Sequence, residues 1–179
     1  MKVIISDTSV LLNLLAADCL DSLTSSTGWQ LAVCPIVVGE TKKLRDVSTG
    51  EMVVVDLTPF IISGVLQVLD MTDADEKALF VEQAGVVDDG EAMSIAIAAS
   101  RNLELAIDDR QATNHSLRKF PTLRVWSTPE ILKTWFESAS LADGVLCAAI
   151  RRIEERARYF PAKSHPLCEW WHESKALSR

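Results

Sequence analysis

The sequence predicts an α/β fold in which a mainly parallel sheet of about five strands is covered by helices on both faces. Two observations carry this: short β-branched apolar runs alternate with longer helical patterns, and the runs Val3-Ile4-Ile5 and Leu103–Ile107 are nearly continuous in the manner of strands buried on both sides. A third is that both of these runs stop abruptly in carboxylates, Asp7 and Asp108-Asp109. In open parallel sheets ligands bind in the crevice outside the carboxyl ends of the strands, so the acids fall where chemistry is done.

Taken in order, the first strand passes through Asp7 to Thr8 and Ser9, either of which can cap the helix that follows. That helix is expected from Val10 through Leu23 to about Thr27-Gly28. Leu31–Cys34 reads as a second strand. Pro35 opens a helix that places Glu40 about a turn and a half in, ahead of the charged run from Lys42. Met52–Leu57 is the strongest β signal in the chain and is assigned to the third strand. Thr58-Pro59 opens a helix expected to run to Leu69, and Thr72–Glu76 starts another that ends near Gly85.

Asp88 or Asp89 caps the next helix, with Glu91 in its first turn and small residues behind it for close packing. The fourth strand is Leu103–Ile107. A helix to Lys119, a fifth strand Leu123–Trp126 and a helix from Thr128 to Ser138 follow. Residues 141–158 read as one helix with alternating charges, a solvated face, and 159–172 are the least legible stretch. The aromatic residues Tyr159, Phe160, Trp170 and Trp171 are expected to pack the last segment onto the body or a second subunit, with stacking on RNA bases as the alternative. No domain boundary interrupts the 179 residues; residues 1–140 form the body and 141–179 a helical extension of the same domain.

Composition excludes several classes. The four cysteines are scattered with no C-x-x-C pair, which argues against a zinc site or disulfide framework. No apolar run reaches membrane-spanning length and no secretory leader is visible, so a soluble cytoplasmic protein without membrane partners is expected. The first strand lacks the glycine-rich turn that cradles nucleotide phosphates. Net charge is −7, and it is uneven: residues 1–100 hold 5 Lys+Arg against 15 Asp+Glu, and the remainder 13 against 10. Acidity therefore gathers in the part of the chain that carries Asp7, Glu40 and Glu91.

Asp7, Glu40, Glu91 and Asp108-Asp109 all fall at a strand end or a helix start. Several carboxylates held together repel unless a cation lies between them, and hard oxygen donors suit Mg²⁺ or Mn²⁺. Such a site can act on a phosphodiester. Capping alone would explain Asp89, Glu91 or Asp109 taken singly; Asp7, directly after an apolar strand, must face the crevice. His115, just beyond Asp108-Asp109, is a candidate substrate contact, set against the ordinary reading of a surface histidine.

The strings Ile4-Ile5-Ser6-Asp7-Thr8-Ser9, Asp88-Asp89-Gly90-Glu91-Ala92 and Ala106-Ile107-Asp108-Asp109-Arg110, with Glu40 after Pro35, resemble a PIN domain over about residues 3–132. The resemblance is to the prokaryotic branch that reads D-x-G-E-A before the third acid and I-D-D after the fourth strand. It implies a three-layer α/β/α sandwich and a Mg²⁺- or Mn²⁺-dependent ribonuclease, similar to the toxins of toxin-antitoxin pairs. Carried over by position, Asp7, Glu40, Glu91 and Asp109 are the catalytic acids. Asp7, Glu91 and Asp109, with Asp108, would hold the metal, and Thr8 or Ser9 would support the first acid. RNA as substrate, an antitoxin protein as partner and a homodimer are implied in the same way. Where many members carry a Gly-Arg pair after the I-D-D motif, this chain has Ala112-Thr113, and Arg110, Arg118 or Lys119 could substitute. A binding or scaffold module that keeps the fold without catalysis is the competing reading.

Overall fold

The computed structural model describes residues 2–40 and 42–176; Met1, Thr41 and the last three residues of the expected extension lie outside the described residues. Its centre is β1 (Lys2–Ser6), whose Ile4 and Ile5 are fully buried. On one side β1 pairs with β2 (Trp29–Val33), Ile4 opposite Leu31. On the other it pairs with β6 (Glu104–Ala106), Ile5 opposite Leu105. With β5 (Leu66–Val68) and β7 (Val125–Trp126) at its edges, the five-stranded sheet has the order β5-β2-β1-β6-β7 and every pairing in it is parallel. All carboxyl ends therefore open on one edge, and β1 and β6 deliver Asp7 and Asp108 there as neighbours.

Helices cover the sheet in two groups. α5 (Ala74–Ala84) packs on α6 (Asp89–Ser100), which lies against β1, β6 and α3 (Pro35–Gly39). α1 (Thr8–Ala16), α2 (Leu20–Thr27) and α8 (Thr128–Ser138) pack together in the other group, and the C-terminal α9 (Asp143–Arg152) and α10 (Cys168–Ala176) pack on each other. The alanine-rich run of α6 is buried from Ala92 to Ala98, which explains its small side chains: the helix lies close to the sheet. Ser127 and Glu130 form a reciprocal cap at the start of α8. α7 (Arg110–Lys119) joins β6 to β7 (Val125–Trp126).

Four sequence expectations need correction. The helix expected over 10–27 is broken into α1 and α2 at Asp18, whose φ is 55°; its end at Gly28, φ 68°, is as read. Met52–Leu57 is not in the main sheet: β4 (Met52–Val54) forms an antiparallel hairpin with β3 (Lys43–Arg45), and its valines are more than half exposed. The missing main-sheet strand is β5 (Leu66–Val68), inside the segment expected to be helical. That helix, α4 (Thr58–Ile62), ends before Gly64 turns the chain at φ 79°.

The 141–158 helix is the fourth. α9 passes into a π-helical turn over Ile153–Ala157, and three of its charges, Arg152, Glu154 and Arg156, are committed, while Arg151, Glu155 and Arg158 stay exposed as read. Arg152 and Arg156 donate to the carbonyls of Ala17 and Ala16 and to Asp18, the exposed left-handed residue between α1 and α2. Glu154 accepts from the indole of Trp171 at 3.0 Å and from Lys175 at 2.6 Å. Trp171, fully buried, joins the core cluster with Tyr159 and Trp170 packed against it, so three of the four aromatic residues pack the last segment onto the body, while Phe160 stays 58% exposed. All four cysteines are free. Among the described residues no helix is long and apolar enough to cross a membrane.

Candidate active site

Asp7 is built into the sheet edge from both directions. Its backbone N–H donates to Ala106 O of β6 at 3.0 Å, and its carboxylate caps α1, accepting from Val10 N at 2.8 Å and from Ser9 Oγ at 2.6 Å. It is 3% exposed. Burial pushes its carboxyl up to about 8 against the pull of those two donors, and the charges of Asp108 and Glu91 push the same way. Ser9 is thus the hydroxyl on the first acid, while Thr8 donates to Glu40 Oε2.

Glu40 is one residue past α3, in extended backbone, so it caps the helix end and does not lie within the helix as the sequence suggested. The reason is the shortness of α3, five residues. Its Oε1 sits 2.8 Å from the position a Cβ on Gly90 would take. Glycine at the second turn residue of α6 therefore leaves the space in which Glu40 reaches the first turn carrying Glu91. Lys42, the first residue of the charged run, is 2% exposed and donates to Glu40 O at 3.1 Å.

Asp88 caps α6, accepting from Glu91 N at 2.9 Å. The Glu91 carboxyl is raised to about 7, by burial first and then by Asp88 and Asp109, with Glu40 contributing. Asp7, Glu40, Glu91 and Asp109 are thus electrically linked, in pairs that share Glu91.

The Asp108-Asp109 pair divides its labour. Asp108 accepts from Thr128 N (2.9 Å) and Tyr159 Oη (3.0 Å) on Oδ1, and from Thr128 Oγ1 (2.6 Å) and Asn13 Nδ2 (3.1 Å) on Oδ2. Four donors fill a carboxylate's acceptor capacity. Asp109 caps α7 through a single bond from Ala112 N at 2.8 Å and is otherwise open to solvent. Asn13, Thr128 and Tyr159 were missed by sequence reading. Thr128 looked like a helix start only, and nothing local in residues 159–172 points at an acid 51 positions earlier.

Arg110 opens α7 and is exposed, lining one cavity together with Asp108. His115 is engaged elsewhere: its Nε2 is 2.7 Å from Oε1 of the buried Gln83 on α5, and its pKa is lowered by burial and by Arg118 and Lys119.

Among the described residues no three acids stand close enough together to form a ready-made metal cage. The donor chemistry nonetheless fits a hard divalent cation: Asp7, Glu40, Glu91 and Asp109 offer only oxygen, burial and neighbouring acids raise Asp7 and Glu91, and Gly90 leaves just enough room for the Glu40 carboxylate to lie over the turn that carries Glu91.

No curated protein matches the chain at a significant level. A family model described as a PIN domain matches residues 3–133, the span that holds the parallel sheet and all of these acids. PIN domains are typically nucleases and generally use divalent metals, and this chain belongs to the PIN-domain family.

Proposed function

We propose that this protein is a Mg²⁺- or Mn²⁺-dependent endoribonuclease whose working acids are Asp7, Glu40, Glu91 and Asp109. The observation that carries the reading is geometric: Asp7 follows β1 at the carboxyl edge of the sheet, the adjacent Thr8 donates to Glu40, and Glu40 lies over Gly90 in the turn that carries Glu91, while burial and neighbouring acids raise the Asp7 and Glu91 carboxyls. A fold that needed only helix caps would gain nothing by gathering like charges it must keep protonated. Asp108, fully engaged by Thr128, Tyr159 and Asn13, is assigned to holding the Asp109 backbone in place.

A divalent cation, when bound, supplies Lewis acidity toward a phosphodiester and the charge that lets the acids ionise together. The chain's own residues do the rest. Ser9 and the Val10 N–H orient Asp7, Thr8 holds Oε2 of Glu40 with Oε1 directed over Gly90, and Asp88 fixes the turn from which Glu91 projects. Asp109 keeps one oxygen without a protein donor among the described residues and faces the charge of Glu91. RNA as substrate, a toxin role with an antitoxin protein as partner, a homodimeric state and a cytoplasmic location are part of this proposal.

The non-catalytic reading draws on the caps: Asp7, Asp88 and Asp109 each accept a helix N–H. Cleavage of a labelled single-stranded RNA by wild type and Asp7→Asn, in Mn²⁺, Mg²⁺ and EDTA, separates the two. Metal-dependent cleavage lost in Asp7→Asn is the expected result. A wild type that neither cleaves nor melts higher in metal would leave only the scaffold role.

A further inference from the structure

A cavity of about 570 Å³ is lined by Asp108 and Arg110, the residues on either side of Asp109. Its size is that of sites for nucleotide-sized ligands, about 300–1,000 Å³. One wall is a single face of α7, formed by Arg110, Thr113 and Leu117 at helical spacing. The opposite wall comes from the 159–166 segment, through Phe160, His165 and Pro166. That segment lies beyond residue 133, where the family match stops, so the wall belongs to this chain's own extension.

Two of these residues have no task in the fold. Phe160 is 58% exposed, whereas its neighbour Tyr159 is bonded to Asp108 and packs edge-on against the buried Trp171. Arg110 is exposed and makes no ion pair among the described residues. The other arginine of the cavity, Arg124, is committed: it donates to Glu130 at 3.0 Å and stacks on Trp126, 4.2 Å from the ring centre. In a chain of net charge −7, an uncommitted cation and an open aromatic ring in one cavity are a selective pairing. Phosphate takes the first and a base's flat face takes the second.

We infer that this cavity holds one nucleotide of a single-stranded RNA, next to the phosphodiester presented to the acids, with its base against Phe160 and Leu117 and its backbone phosphate on Arg110. The inference rests on the nuclease reading of the acids for its substrate class. A small anion alone would leave the apolar wall unused, and an apolar ligand alone would leave Arg110 unused.

The test is binding of a fluorescein-labelled, mixed-sequence, single-stranded RNA dodecamer to the full chain in Ca²⁺, followed by anisotropy with the RNA checked intact on a gel, alongside cleavage kinetics in Mg²⁺ and Mn²⁺. Wild type is compared with Phe160→Ala and with Leu117→Glu, which sets a negative charge in the wall. Both positions are exposed, and circular dichroism verifies the fold. Phe160→Ala is expected to weaken binding about tenfold, the usual effect of losing one stacked base, and Leu117→Glu at least as much, with KM raised and kcat little changed. Wild-type affinity in both variants, or no RNA binding by wild type, overturns the inference. Binding that depends on Phe160, with neither cleavage nor a rise in melting temperature in Mg²⁺ or Mn²⁺, sustains the cavity assignment and overturns the nuclease reading instead.

Discussion

The hydroxyl of Tyr159 donates to Oδ1 of Asp108 at 3.0 Å, tying the chain beyond the PIN-domain match to the loop that presents Asp109. The chain reaches it by way of the π-helical turn and Arg158, whose φ of 56° aims the next residue inward. Removing only the oxygen, in Tyr159→Phe, is expected to cost about 1–2 kcal/mol by urea denaturation, since Asp108 loses a donor in a setting that burial already makes unfavourable for its charge. Cleavage should fall with it, because the backbone of Asp109 is then held by fewer bonds. Unchanged stability would mean the bond contributes nothing beyond what water replaces.

Gly90→Ala isolates Glu40. The new Cβ would stand 2.8 Å from Glu40 Oε1, the mobile end of an exposed side chain, so the carboxylate shifts and the fold stays. Alanine also favours the helix, by up to about 1 kcal/mol. The expected result is a melting temperature at or slightly above that of wild type together with cleavage reduced about tenfold or more, a separation that a purely structural Glu40 would not give.

Away from the site, Glu76 is 2% exposed and grips Arg101 in a fork, at 2.6 and 2.8 Å. Its carboxyl is held at about 2, chiefly by that bond. The depressed value makes this a stabilising charge above the unfolded carboxyl range, lost as pH falls from about 4.5 toward 2. Arg101→Met should therefore destabilise by about 2–3 kcal/mol at pH 7, and the difference from wild type should shrink as the melting temperature is followed down to pH 3.

How far the sequence reaches depends on whether a signal is local. Val3-Ile4-Ile5 before Asp7 and Leu105-Ala106-Ile107 before Asp108 announce buried strands that end in acids, and they lie side by side in the sheet. The cap of α6 is equally local and falls on Asp88, the first of the two acids residue type offered. The valines of β4 carry the right propensity in the wrong place, because propensity does not say which sheet a strand joins. Leu66–Val68 is an edge strand of three residues paired only with β2, too short for its period to outweigh the helical pattern before it. Tyr159 on Asp108 and Glu40 over Gly90 exist only once the chain is folded.

The raised acids set the pH dependence, and its sign differs from that of Glu76. A carboxyl whose folded pKa exceeds its unfolded one binds its proton more tightly when folded, so stability is fully present below the unfolded value and is lost as pH rises through the folded one. For Asp7 that window runs from 3.8 to about 8 and for Glu91 from 4.5 to about 7. Without metal, the two acids should lower the melting temperature steadily between pH 5 and 8. Asp7→Asn keeps an acceptor for the Val10 N–H and removes the charge, so it should melt higher than wild type at pH 8 in EDTA and about level with it at pH 4. A divalent cation that binds the ionised acids must displace their protons, so the rise in melting temperature on adding Mn²⁺ should grow from pH 5.5 to 8 in wild type and be much reduced in Asp7→Asn. A shift of equal size at every pH would place the metal elsewhere and remove Asp7 and Glu91 from its ligands.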